Sequence, residues 1–161
     1  MIEYLPIVLT GIGLTVSILY YSTILRNANK TQKMNLETRQ IQMFMSISNV
    51  KNSVEFQRLF YRIAYIDEWS DIEDYFRKYY QKNNLDVYSE HLYIWQLFDT
   101  IGFLREKSVI DLSFLDDLLK TSITDVWVKY EPVIKALRER SGKPKLWNQF
   151  EYLANELLKT S

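Results

Sequence analysis

Apolar residues follow two different patterns along this chain. From Tyr4 to Leu25 they run on continuously as YLPIVLTGIGLTVSILYYSTIL, 22 residues without a charge. Beyond Arg26 they recur every three or four positions among charged residues, the period of an amphipathic helix. At about 1.5 Å per residue the first run spans roughly 33 Å, close to the ~30 Å hydrocarbon core of a bilayer. It predicts a transmembrane anchor over residues 1–25. Arg26, Lys30, Lys33 and Arg39 follow it, and the only charge before it is Glu3. Basic residues stay on the cytoplasmic side, so the expected topology is a single pass in the plasma membrane, N-terminus outside and C-terminal domain cytoplasmic. A cleaved leader fits less well, because its apolar core is about 7–15 residues after a basic start. Within the run, Gly11/Thr15 and Gly13/Ser17 are small-xxx-small pairs of the kind that let membrane helices approach closely.

Residues 26–40 read as a basic juxtamembrane helical stalk, and 41–161 as the cytoplasmic helical domain. From Leu36 to Val50 the spacing places Ile41, Phe44, Met45, Ile47 and Ser48 on one face, with a break over Asn49–Ser53. Asn52 and Glu55 form a candidate capping box, opening a helix with Phe56, Leu59, Phe60, Ile63 and Ala64 inward that ends near Ile66–Trp69. Ser70 and Glu73 repeat the box before Ile72, Tyr75, Phe76, Tyr79 and Tyr80, a helix ended by Asn83 and Asn84. The next helix runs from Leu85 or Val87 to about Arg105, with Gly102 marking close approach of a neighbour. Asp111 or Ser113 caps a long helix in which Pro132 predicts a kink. Gly142 and Pro144 predict a stop and restart, and the terminal helix reaches about Lys159. No stretch alternates as a strand does. The expectation is an all-α bundle of about five or six helices.

Composition narrows the chemistry. The chain has no Cys, which removes disulfides, thiolate catalysis and Cys-ligated metals. Net charge is zero and no Gly-rich phosphate loop exists, which argues against nucleic-acid and nucleotide binding. Asp67, Glu68, Asp71, Glu73 and Asp74 form an acidic segment with no basic residue, but it lacks the Gly of a calcium loop and reads as a helix start. His91, the single histidine, follows Glu90; a polar residue on the helix flank, partly buried, is the reading preferred to a catalytic one. Most of Tyr61, Tyr65, Trp69, Tyr79, Tyr80, Trp95 and Trp147 are expected in the core.

Three stretches carry a resemblance: the apolar N-terminus followed by Glu37–Met45, the segment Ser53–Phe56, and Leu146-Trp147 through Phe150–Glu156, with Asp125–Trp127 and Glu131–Ile134 in the same order. Together they resemble a bacterial and archaeal family of small anchored helical proteins, domain of unknown function 4760. The resemblance implies an anchor plus a helical cytoplasmic domain and adds no chemistry. The expected function is a membrane-anchored interaction protein, an accessory or scaffolding subunit of a membrane complex without catalysis of its own. Catalytic, cofactor-binding and metal residues are expected to be absent, and no small-molecule substrate is evident. The expected partners are the lipid bilayer and a membrane protein or a second copy. The alternatives are a self-associating membrane structural protein, and a sensor or enzyme with a site near Glu90 and His91.

Overall fold

A computed structural model describes residues 5–80 and 84–160, with side-chain surroundings from residue 16 onward. Among them are six α-helices and no strand: α1 (Leu5–Asn52), α2 (Val54–Tyr61), α3 (Ile72–Tyr79), α4 (Leu85–Glu106), α5 (Leu112–Ser141) and α6 (Asn148–Lys159). One π-turn, Arg62–Ile66, follows α2 directly. The chain divides into two units, residues 1–42 and 43–161.

In the first unit, residues 16–39 are helical and exposed throughout. Arg26, Lys30, Lys33 and Arg39 all lie on this exposed stretch, with Lys33 4.0 Å from Glu37. Among the described residues no helix is long and apolar enough to cross a membrane. Most of the apolar run, including Gly11, Gly13 and Thr15, lies outside the residues whose side chains are described; Ser17 is exposed.

The second unit is the bundle. α4 and α6 lie against each other along their length, with α5 beside α6. Trp95, Phe98, Trp127, Tyr130 and Phe150 fill the interior. The Phe150 ring lies 5.3 Å from Phe98 and 5.2 Å from Trp127, so one ring ties three helices together. Gly102 makes the α4–α6 approach possible. A Cβ there would sit 2.1 Å from the Gln149 carbonyl oxygen, inside any contact distance.

Several local expectations shift by a few residues. The predicted break at 49–53 is narrower, since α1 runs to Asn52 and Ser53 alone interrupts it. Ser53, rather than Asn52, caps α2, accepting the Phe56 N–H at 3.1 Å. Asn52 instead donates to Ser48. On α1 Met43, Ile47 and Val50 pack on the core and the Phe44 ring lies 5.2 Å from Phe114, while Ile41 and Met45 stay exposed. The stripe therefore follows the 43/47/50 spacing. The second predicted box is also displaced by one: Asp71 accepts the Asp74 N–H, and Asp74 accepts the Ser70 N–H. A carboxylate reaches these amides better placed than the Ser70 hydroxyl. α3 ends at Tyr79, before Asn83 and Asn84; Asn84 caps α4.

α5 begins at the Asp111 cap and continues through Pro132 to Ser141. It closes in a Schellman motif, with Gly142 at φ 65° and Lys143 N–H donating to the Arg138 carbonyl. Pro144 does not start the next helix. α6 begins at Asn148, because its cap comes from elsewhere: Asp99 Oδ1 on α4 accepts the Gln149 and Phe150 N–H groups, each at 3.0 Å. Trp147 takes the left-handed conformation at φ 52° with its ring buried 5.0 Å from Trp95.

Two substitutions test this packing, read by urea unfolding followed through the four tryptophans, all in residues 43–161. Gly102→Ala is expected to lose about 3 kcal/mol or more, as overpacking against backbone does. Asp99→Ala is expected to lose about 1–2 kcal/mol, the value of a helix cap. Wild-type stability in Gly102→Ala would refute the close approach.

Candidate functional site

The most polar part of the interior surrounds His91. The stripe Tyr88, His91, Trp95, Phe98 faces inward on α4, so the imidazole is fully buried rather than on the flank. It stacks on Trp95 with centroids 5.8 Å apart. Its Nδ1 lies 2.9 Å from the Tyr75 hydroxyl on α3. Its Nε2 lies 2.9 Å from Asp67 Oδ2, just after the π-turn, and 3.3 Å from the Tyr130 hydroxyl on α5. Four segments thus meet on one ring.

The hydrogen positions follow from counting donors. Tyr130 donates to the Ile63 carbonyl at 3.2 Å, and its oxygen is left to accept. Asp67 as a carboxylate can only accept, so Nε2 carries the proton. Nδ1 then accepts from the Tyr75 hydroxyl. Both ring nitrogens, both tyrosine hydroxyls and the Asp67 carboxylate are satisfied with His91 neutral, whereas Arg62 Nε and Trp95 Nε1 beside them are buried without a hydrogen-bond partner among the described residues. A second proton on Nδ1 would turn the Tyr75 hydroxyl away from its acceptor. Burial also disfavours the charged ring and moves the His91 pKa below its ordinary value, although Asp67 pulls the other way. Burial raises the Tyr75 and Tyr130 pKa values far above the phenol range, so both remain hydroxyl donors.

The π-turn owes its stability to α5. The Asp67 N–H reaches back five residues to the Arg62 carbonyl at 2.9 Å. This leaves the Ile63 and Ala64 carbonyls at a helix end without intrahelical partners. Lys129 Nζ donates to both, at 2.9 and 3.0 Å, and rests 5.2 Å from the Trp69 ring centre. A cation at a helix C-terminus is also favoured by the dipole. Burial lowers the Lys129 pKa. Arg62 spans the outer side, paired with Glu90 and with its Nε 3.8 Å from Asp67.

This arrangement leaves no place for a substrate at the ring, since both imidazole nitrogens are engaged and the ring has no exposed surface. A recess lined by Tyr65, Asp67, Glu68, Trp69 and Lys129 opens beside the cluster. The cluster acts as a polar clamp. It holds the π-turn against α3, α4 and α5. Glu90, named with His91 in the sequence, lies beside it and pairs with Arg62. The acidic segment separates: Asp67 faces His91, Asp74 takes Lys78 and Arg77, and Glu73 takes Arg140. Lys78 and the Ser70 N–H hold the Asp74 carboxyl below the usual carboxylate range. No group of three or more potential ligands among the described residues could hold a metal ion.

Asp67, Tyr75, Tyr130, Arg62 and Lys129 were not picked out as one site by the sequence. The available signal was the stripe: His91 is three residues from Tyr88 and four from Trp95, which places it inward. Its partners come from three other segments and share no local motif.

The clamp has a pH signature. An unfolded histidine titrates near 6.5, and the folded value is lower. Below pH 6.5 the unfolded chain therefore binds more protons, and stability falls with acidification by up to about 1.4 kcal/mol per pH unit until the folded ring titrates. The groups facing the ring are Asp67, Tyr75, Tyr79 and Tyr130, with Arg62 and Glu90 beyond them. Urea unfolding at pH 7.5, 6.5 and 5.5 should show this loss in the wild type and not in His91→Gln. Parallel slopes for the two proteins would refute it.

The model of the family described as Domain of unknown function (DUF4760) matches residues 7–157. The chain belongs to that family. No curated protein matches it, and no solved structure matches it.

Proposed function

We propose that this family member is a single-pass membrane-anchored interaction protein, an accessory or scaffolding subunit of a membrane complex that performs no catalysis itself. The observation that carries this reading is the exposed apolar surface of residues 16–25. Ile18, Leu19 and Leu25 are 60 %, 64 % and 63 % exposed, and Val16, Tyr20, Tyr21 and Ile24 are exposed with them. Large apolar groups stand exposed on every side of this stretch of helix. Contiguous exposed apolar surface marks a membrane or protein contact. The uncharged run that precedes these residues and the four basic residues that follow favour the bilayer, with the basic end cytoplasmic.

The interaction role draws on a second surface. Tyr61, Tyr65 and Ile66 are exposed around the π-turn, and the two tyrosine rings lie 5.7 Å apart. Tyr65 also donates to Asp125 on α5. Exposed aromatics of this kind suit the core of a protein interface.

The absence of cysteine allows single-cysteine labelling without background. Ile2→Cys should react with a membrane-impermeant maleimide on intact cells, and Lys159→Cys only after permeabilisation. Labelling of Lys159→Cys from outside, or recovery of the chain in the soluble fraction, would overturn the topology. For the interface, Ile66→Glu should abolish recovery of a stoichiometric partner from detergent-solubilised membranes. Its unfolding free energy should stay within about 0.5 kcal/mol of wild type, as for a surface change.

A further inference from the structure

The end of α1 packs on the bundle through half-buried side chains and leaves a gap. A cavity of about 140 Å³ lies among α1, α2, α4 and α5. Phe56, Ile101 and Leu119 form its buried floor, and Ile47 and Leu97 stand at its walls. The polar residues along it are Ser46, Lys51 and Thr100, of which Ser46 and Thr100 are exposed. Thr100 donates its hydroxyl to the Gln96 carbonyl at 2.8 Å. Lys51 has no carboxylate within ion-pair distance among the described residues.

Size and lining select the kind of occupant. An apolar void of about 150 Å³ stays dry and takes up benzene, six carbons. The pocket is open at Ser46 and Thr100, but its floor of Phe56, Ile101 and Leu119 offers water no polar partner. The walls of an empty void also forgo dispersion contacts that a hydrocarbon would restore. Charge selects the rest, since the one ionised side chain at this cavity is a cation without a partner. We infer that the cavity binds a single-chain carboxylate amphiphile, with about six carbons of tail against Phe56, Ile101 and Leu119 and its carboxylate on Lys51. This site is separate from the His91 clamp and from the exposed surface at Tyr61, Tyr65 and Ile66. Its lining runs from Ser46 to Leu119, apart from the proposed anchor.

The test uses the full chain in nanodiscs of zwitterionic phosphatidylcholine, with labelled Ile, Leu and Val methyl groups observed by NMR. Hexanoate and hexanol are the probes. Hexanoate should shift the methyls of Ile47, Leu97, Ile101 and Leu119 and bind about threefold more tightly than hexanol, the increment of one partly exposed ion pair. Lys51→Gln should bring hexanoate to the level of hexanol and leave hexanol unchanged. Leu97→Phe should fill the cavity and abolish binding of both, with wild-type tryptophan emission confirming the fold. Equal affinity for the two probes in the wild type would overturn the anionic specificity. Unmoved cavity methyls, or shifts confined to the apolar methyls of residues 16–25, would overturn the site.

Discussion

Two helix ends lie within the bundle, and each is closed by side chains from a different helix. The first turn of α6 donates its N–H groups to Asp99 on α4. The carbonyls at the π-turn accept from Lys129 and Tyr130 on α5. A buried helix end without such partners leaves orphan polar groups that cost about 1–3 kcal/mol each. Each closure therefore fixes the position of one helix against another. Gly102 serves the same purpose by steric means, letting α6 approach α4 until Asp99 reaches the amides. Hydrophobic burial drives the collapse, but it is non-directional; these bonds specify the arrangement.

The His91 cluster extends this role. A neutral imidazole between a tyrosine donor and a carboxylate acceptor satisfies its two nitrogens in one orientation. Asp67 buries a charge, which is expensive without compensation. Its compensation comes from His91 Nε2–H and from Arg62 nearby. Fully satisfied polar networks rigidify a core, and partly satisfied ones weaken it. The π-turn is a strained departure from α geometry of a kind often found at functional sites. Here its surroundings engage it from three sides and leave Tyr61, Tyr65 and Ile66 exposed.

Apolar surface serves three ends in this chain. Within residues 43–161 most of it closes into a core of aromatic rings in mutual contact. A smaller share stays exposed around the π-turn, and the cavity at the end of α1 holds a further unfilled pocket. Along residues 16–25 it is exposed on every side, and the proposed anchor rests on that exposure.

The helices were legible from sequence because their signals are local. The 3.6-residue period, the Asp111 cap, the Gly142 stop and the need for a small residue at Gly102 all act within a few turns of the chain or leave a distinctive residue type. The all-α class follows from the same pattern and the family from the resemblance of particular stretches; of the seven aromatics expected mostly in the core, Trp95 and Trp147 are buried, Trp69, Tyr79 and Tyr80 are half-buried, and Tyr61 and Tyr65 are exposed. What sequence could not supply were bonds between distant segments. Asp99 capping α6 spans fifty residues, and Lys129 closing the π-turn spans sixty-six. The start of α6 was misplaced at Pro144 because its cap is borrowed from α4. The sequence places His91 on a helix flank, because its partners Asp67, Tyr75 and Tyr130 lie on other segments. Local chemistry decides which segments are helical, since each turn bonds to itself. Only tertiary structure decides which polar side chains meet, because that depends on helices already packed.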